Sequence, residues 1–177
     1  MLPLESGLAI LVPEAEPLVH SFRDKYDPSA AAGTPAHITL LYPFKPPHEI
    51  GDPVIEKLNQ CVAGFPAVEF SLVKVRRFPG GVLYLAPEPD EPFRRLVSAI
   101  CDCYPETPPY GGRFSSFVPH LTVAQLTDDQ RAENISVRFE RASHRRLPIH
   151  ATAREITLMD TLSGSWQVRT TFAFMLI

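Results

Sequence analysis

The sequence predicts an α+β fold: two pseudo-twofold-related lobes of antiparallel sheet, with helices outside and a central cleft between them. Three observations predict it. Apolar periodicities of strand and helix type alternate along the 177 residues,. A strand–turn–helix–strand pattern occurs twice. Hairpin-like junctions such as Arg77-Phe78-Pro79-Gly80-Gly81-Val82 call for antiparallel neighbours,. The length suits one domain over 1–177, internally duplicated at approximately 1–77 and 78–177, with tail strands that can return to the first lobe,.

The first copy opens with Gly7-Leu-Ala-Ile-Leu-Val-Pro13-Glu14, a short buried strand closed by a proline-marked turn. Pro17, Leu18, Phe22 and Tyr26 follow at helix spacing,. The second copy opens with Gly81-Val-Leu-Tyr-Leu-Ala-Pro87-Glu88, and Pro92, Phe93, Val97 and Ile100 follow in the same way. Each copy then runs through a turn-rich loop into a second apolar strand, Ala36 to Tyr42 and Pro119 to Ala124. Another helix candidate comes next: one from Asp52-Pro53 with Ile55, Leu58 and Val62 inward, the other from the capping-box pattern Thr127-x-x-Gln130,. Ala67 to Arg77 and Leu147 to Met159 are strand-like, each with one break in alternation that suggests a bulge,. In the tail, Trp166, Val168, Thr170, Phe172, Phe174 and Leu176 alternate and are expected to share one face,.

Composition excludes several classes. A formal charge of −3 argues against retention on long nucleic acid by bulk electrostatics,. No apolar run reaches the roughly 18 residues of a membrane span, and the N-terminal stretch lacks the basic region of a signal peptide. Cys61, Cys101 and Cys103 match no zinc spacing. Cys101 and Cys103 fall about 200° apart around a helix, so the cysteines are expected as reduced thiols filling the core, in a cytoplasmic protein. No G-x-x-x-x-G-K-S/T, G-x-S-x-G or H-E-x-x-H is present, which removes the support for ATP-dependent phosphoryl transfer, serine hydrolase and zinc protease readings,.

The chemistry lies in His37-Ile-Thr39 and His120-Leu-Thr122, which occupy matching places in the two copies. Residues i and i+2 of a strand point to one face, so each motif presents an imidazole beside a hydroxyl. A pseudo-twofold brings the two pairs to opposite walls of one cleft. Two histidines can then act as general base and general acid on either side of a phosphorus centre, while two threonines donate to its non-bridging oxygens. With 6 histidines in the chain a lone H-x-T match means little, and the matched pair is the signal. A third match, His150-Ala-Thr152, has no counterpart in the first copy and reads as structural or solvent-facing.

With both motifs in place, the second preceded by proline, and with the strand Phe78-Pro-Gly-Gly-Val-Leu-Tyr-Leu, nearly the whole chain resembles the 2H phosphoesterase superfamily, nearest to its bacterial 2′-5′ RNA ligase and cyclic phosphodiesterase group. The resemblance implies a bilobal fold with His37, Thr39, His120 and Thr122 in a central cleft. It also implies metal-independent opening of 2′,3′-cyclic phosphates to 2′-phosphates, or the related 2′-5′ ligation, with His120 as base and His37 as acid. No cofactor and no metal is called for. Tyr42 lies where related enzymes stack a base. In the loop from Tyr110 to Phe117, Phe114 and Phe117 offer aromatic faces and Arg113 a guanidinium for phosphate. Lys74, Arg76 and Arg77, and Arg138, Arg141, Arg145 and Arg146, read as solvated basic faces that could also guide an RNA end. The expected partner is a nucleotide 2′,3′-cyclic phosphate or an RNA end, with no membrane or long-DNA association, for a chain acting as a monomer. A module that binds such an end without turnover is the competing reading.

Overall fold

The computed structural model describes residues 3–113 and 116–175. Its frame is one curled, fully antiparallel eight-stranded sheet: β1 (Ser6–Leu11), β2 (His37–Leu41), β3 (Val68–Arg77), β4 (Val82–Glu88), β5 (Leu121–Gln125), β6 (Ile149–Ala153), β7 (Glu155–Asp160) and β8 (Gln167–Ala173). They lie in the order β6-β3-β4-β5-β2-β1-β7-β8. The sheet is mirrored about its centre, where β2 meets β5 at the pair Ile38↔Leu121. Each outer group wraps one copy of the repeat: β1 and β2 are flanked by β7 and β8, while β4 and β5 are flanked by β3 and β6.

The helices follow from the patterning. α1 (Glu16–Tyr26) and α4 (Glu91–Cys103) each carry proline near the N-terminus and bury an apolar stripe, Leu18 and Val19 in one, Phe93, Leu96, Val97 and Ile100 in the other,. α1 packs on β5 and α4 on β2, so each helix lies behind the strand of the other copy. A four-residue α2 (Pro28–Ala31) follows Asp27, whose carboxylate accepts from the Ser29 amide. α3 (Asp52–Val62) packs on α4 and β8, and α5 (Asp129–Ser143) sets Phe139 edge-on against Phe22 at 5.0 Å. All of this builds one core against one side of the sheet.

Four details differ from the sequence-based expectation. Cys61 and Cys103 form a disulfide rather than remaining reduced thiols, because the packing of α3 on α4 brings their Cα atoms to 6.6 Å. Cys101 stays free. Asp128, not Thr127, caps α5: its Oδ1 accepts from the Arg131 amide at 3.0 Å,. The stretch from Leu147 to Met159 is two strands broken at Arg154, and they part to opposite ends of the sheet, β6 onto β3 and β7 onto β1. In the tail, Phe172 and Phe174 are buried but Val168 is 52% exposed and Trp166 precedes the strand, so the shared apolar face is only its second half; Leu176 lies outside the described residues.

The bulge expected in β3 is present, between Leu72 and Lys74. The β3–β4 turn depends on Gly81 (φ +84), where a Cβ would stand 1.7 Å from the Leu126 carbonyl oxygen. Among the described residues, no helix is long and apolar enough to cross a membrane.

Candidate active site

Antiparallel pairing at Ile38↔Leu121 decides the geometry of the site. It sets His37 across from Thr122 and Thr39 across from His120,. Ile38, Leu40, Leu121 and Val123 are fully buried on the helix side. The four motif side chains therefore share the opposite side, where they are half-buried and line a cleft of about 300 Å³. By strand spacing, the two histidines sit on the diagonal of this square, roughly 7–8 Å apart with their Cβ atoms somewhat closer.

Both rings are locked the same way. His37 Nδ1 lies 2.7 Å from the Pro35 carbonyl oxygen, and His120 Nδ1 lies 2.7 Å from that of Val118. A carbonyl only accepts, so Nδ1 carries the proton in each ring and Nε2 is the atom left for the cleft. Burial pushes both imidazoles below their ordinary value. For His37 the Pro35 carbonyl opposes this, and Arg23, Asp27 and the charge of His120 act more weakly. For His120 the Val118 carbonyl opposes it.

The two motifs also share a bulge. The register shifts between Leu8 and Ala9 on β1 and between Leu83 and Tyr84 on β4, the same place in each copy, and it sets Ala9 beside Thr39 and Tyr84 beside Thr122. Beyond this the walls differ. Tyr84 stacks on Phe78 at 4.3 Å, and both rings meet His120 at steep angles, 5.5 and 5.1 Å away. His37 has instead a buried polar network behind it. Arg23 Nε donates to Asp27 Oδ2 at 3.0 Å, and Arg23 Nη2 donates to Thr34 Oγ1 at 3.0 Å and Ser29 Oγ at 3.3 Å. Ser29 and Thr34 reach the cleft.

Of the residues expected to bind substrate, Tyr42 lines the cleft. Its hydroxyl donates to Glu5 Oε2 at 2.7 Å, and burial, then that carboxylate, pushes it up to about 12. Arg113 is exposed and Phe117 packs against the core; neither lines the cleft. Phe114 lies outside the described residues. His150 stands on the edge strand β6, its Nδ1 2.8 Å from Ser71 Oγ, away from the cleft. Lys74 and Arg77 pair with Glu88 and Glu133 at the surface.

Sequence reasoning missed Trp166, Ser29, Thr34, Gln125 and Met159 in the lining. Trp166 meets Tyr42 edge-on at 6.0 Å, and its amide donates to the Ala32 carbonyl at 2.8 Å. Gly33 (φ +105) allows this approach, since a Cβ there would come within 3.0 Å of the Trp166 carbonyl oxygen. As the chain's one tryptophan, placed after a Ser-Gly-Ser turn, Trp166 offered the clearest available signal. Among the described residues, no group of three or more His, Cys, Asp or Glu side chains is placed to hold a metal ion.

A sequence model of the 2′-5′ RNA ligase superfamily matches residues 11–165, which spans both motifs. The chain belongs to this superfamily. Provisionally named phosphoesterases of Bacillus licheniformis (29% identical, 88% of this chain and 89% of that protein) and Geobacillus kaustophilus (28%, 96% and 95%) are similar to it along nearly their whole lengths. The solved structure of apo LigT from E. coli shares the fold at a TM-score of 0.61 and 17% identity, covering 99% of this chain and all of that one. So does a protein of Thermus thermophilus, at 0.63 and 16%, covering 96% and 97%. LigT has also been solved with 3′-AMP and with phosphate. The family supports a phosphoesterase or RNA-ligase type of function.

Proposed function

We propose that this superfamily member opens 2′,3′-cyclic phosphates of nucleotides or RNA ends to 2′-phosphates without a metal ion. The observation that carries the reading is the square of two imidazoles and two hydroxyls at the β2–β5 junction, each imidazole with its Nδ1 locked and its Nε2 left to the cleft. One Nε2 takes a proton from water as the oxygen attacks phosphorus. The other, protonated, gives its proton to the departing 3′-oxygen. Thr39 and Thr122 donate to the non-bridging oxygens. Each proton transfer contributes on the order of 10²–10⁴-fold. By the resemblance, His120 is the base and His37 the acid.

Two features favour a small cyclic diester. The cleft is at the lower end of ligand-site sizes, enough for one nucleotide end rather than two RNA strands,. No lysine or arginine stands among its described lining residues, so a monoanionic diester is less costly to hold there than the dianionic monoester it becomes,. The 3′-AMP complex of LigT agrees with a nucleotide-sized ligand.

The test is incubation with the four 2′,3′-cyclic nucleotides in EDTA, beside the His37→Ala/His120→Ala double variant, with 2′- and 3′-phosphates separated. Release of 2′-phosphate by the wild type alone is expected. Saturable nucleotide binding with no product would replace the enzyme by the binding module.

A further inference from the structure

Tyr110 is the only non-glycine residue with positive φ among the described residues (φ 53, ψ 31), and Gly111 and Gly112 continue the left-handed run at φ 63 and 75. An aromatic residue in this region costs on the order of 1 kcal/mol and persists where its surroundings over-determine it. Two contacts hold it here. Its amide donates to the Tyr42 carbonyl at 2.6 Å, which ties the 109–112 turn to the end of β2. Its side chain enters the cleft and hydrogen-bonds with that of Thr39. The chain thus bends against its own preference and sets a phenol on one of the four motif groups.

The two threonines are served differently. Thr122 has Tyr84 across from it on β4, a residue of its own repeat copy. Thr39 has the small Ala9 there, and its phenol comes from a distant loop. We propose that Tyr110 is a positioning residue for Thr39: the phenol O–H donates to Thr39 Oγ1 and turns the single threonine proton toward a non-bridging phosphate oxygen. This rests on the function proposed above. A hydroxyl has one proton and two lone pairs, so when Thr39 gives its proton to phosphate, Tyr110 has to be the donor of the pair. Burial pushes the phenol up to about 12 against the opposing pull of the Thr39 hydroxyl, which donates to it in this structure,. The phenol therefore keeps its proton throughout the range in which the histidines titrate, and can reverse the pair once Thr39 turns its proton to phosphate,. A chain from phenol to hydroxyl to phosphate polarises in one direction, which strengthens each bond.

The test is a double-mutant cycle on the full chain with Tyr110→Phe and Thr39→Val, reading kcat and KM for 2′,3′-cyclic AMP and the dissociation constant of inorganic phosphate. Tyr110→Phe is expected to lower kcat about 5- to 10-fold, with KM changed less than about 2-fold, the size of one lost hydrogen bond. In the Thr39→Val background the same change is expected to have no effect. Thr39→Ser, which keeps the hydroxyl, should restore the full Tyr110→Phe loss, and it serves if Thr39→Val does not fold. Equal losses in both backgrounds would overturn the proposal, as would a fully active Tyr110→Phe beside an impaired Tyr110→Leu, since the ring alone would then matter. If the wild type turns over no cyclic nucleotide but binds phosphate, the function fails and the cycle is read from phosphate affinity. If it does neither, Tyr110 has no phosphate to position and both readings fall.

Discussion

The walls around His37 and His120 start from the same design and finish differently. Each histidine sits in an H-x-T strand, donates its Nδ1–H to the carbonyl two residues back, and has a bulged neighbour strand. Behind His120, however, lie two stacked rings, Phe78 and Tyr84. Behind His37 lies a buried charge pair with two hydroxyls, Arg23, Asp27, Ser29 and Thr34. What repeats is set by local backbone: alternation, a bulge and a carbonyl two residues away. What differs is supplied by elements whose contents diverged, α1 and its following turn in one copy, the β3–β4 hairpin in the other. A near-twofold site can in this way place similar groups in unlike surroundings, as the proposed pairing of an acid with a base requires.

The largest expected effect breaks the likeness itself. His37→Ala and His120→Ala, each alone, should lower kcat for a cyclic nucleotide by at least about 10²-fold, and the double variant by little more, because acid and base act as one unit. A single variant that keeps a tenth of the activity would show that its wall is not catalytic.

The next effect separates the two backings. Arg23 and Asp27 are almost fully buried, with side-chain exposures of 3% and 0%. Removing one partner leaves a buried charge, so Arg23→Met should destabilise the fold by about 3–5 kcal/mol. Phe78→Leu keeps an apolar cover on His120 and loses mainly the aromatic pairing, about 1 kcal/mol. Urea unfolding of the two variants checks this, and equal costs would mean that the network behind His37 is solvated.

The same contrast explains what could be read from the chain. The strands carrying His37 and His120 were legible because alternation is a local signal and the repeat an independent one. The partners of those histidines were not. Arg23 and Asp27 look like one more ion pair at i and i+4 on a surface helix, and only tertiary packing buries them. The loop from Tyr110 to Phe117 was legible as a source of aromatic faces, but not that Tyr110 is the ring that lines the cleft. Trp166 reaches it from a loop far along the chain, and Cys61 meets Cys103 only because α3 packs on α4. Arg154 divides β6 from β7 with no glycine or proline to mark the break, so the broken alternation there read as a bulge where one strand in fact becomes two.

The smallest effect sharpens the comparison through pH. Burial holds both imidazoles below 6.5 in the folded chain. The unfolded chain therefore takes up protons first as pH falls through 6.5, while the native state resists. Stability from this source is full above 6.5 and declines below it, until the depressed folded values are reached. The His37→Asn/His120→Asn double variant should lose that slope in urea unfolding. The proposed mechanism needs one imidazole charged and the other neutral, so the bell in kcat/KM should centre on the acid side of 6.5, its limbs belonging to the coupled pair. Asp27 raises the His37 value by its charge, whereas burial and the Val118 carbonyl set that of His120. Asp27→Asn should accordingly move the His37 ring resonance in an NMR titration to lower pH and leave that of His120 nearly in place. Equal movement of both would mean that the buried pair acts on the whole cleft rather than on one wall.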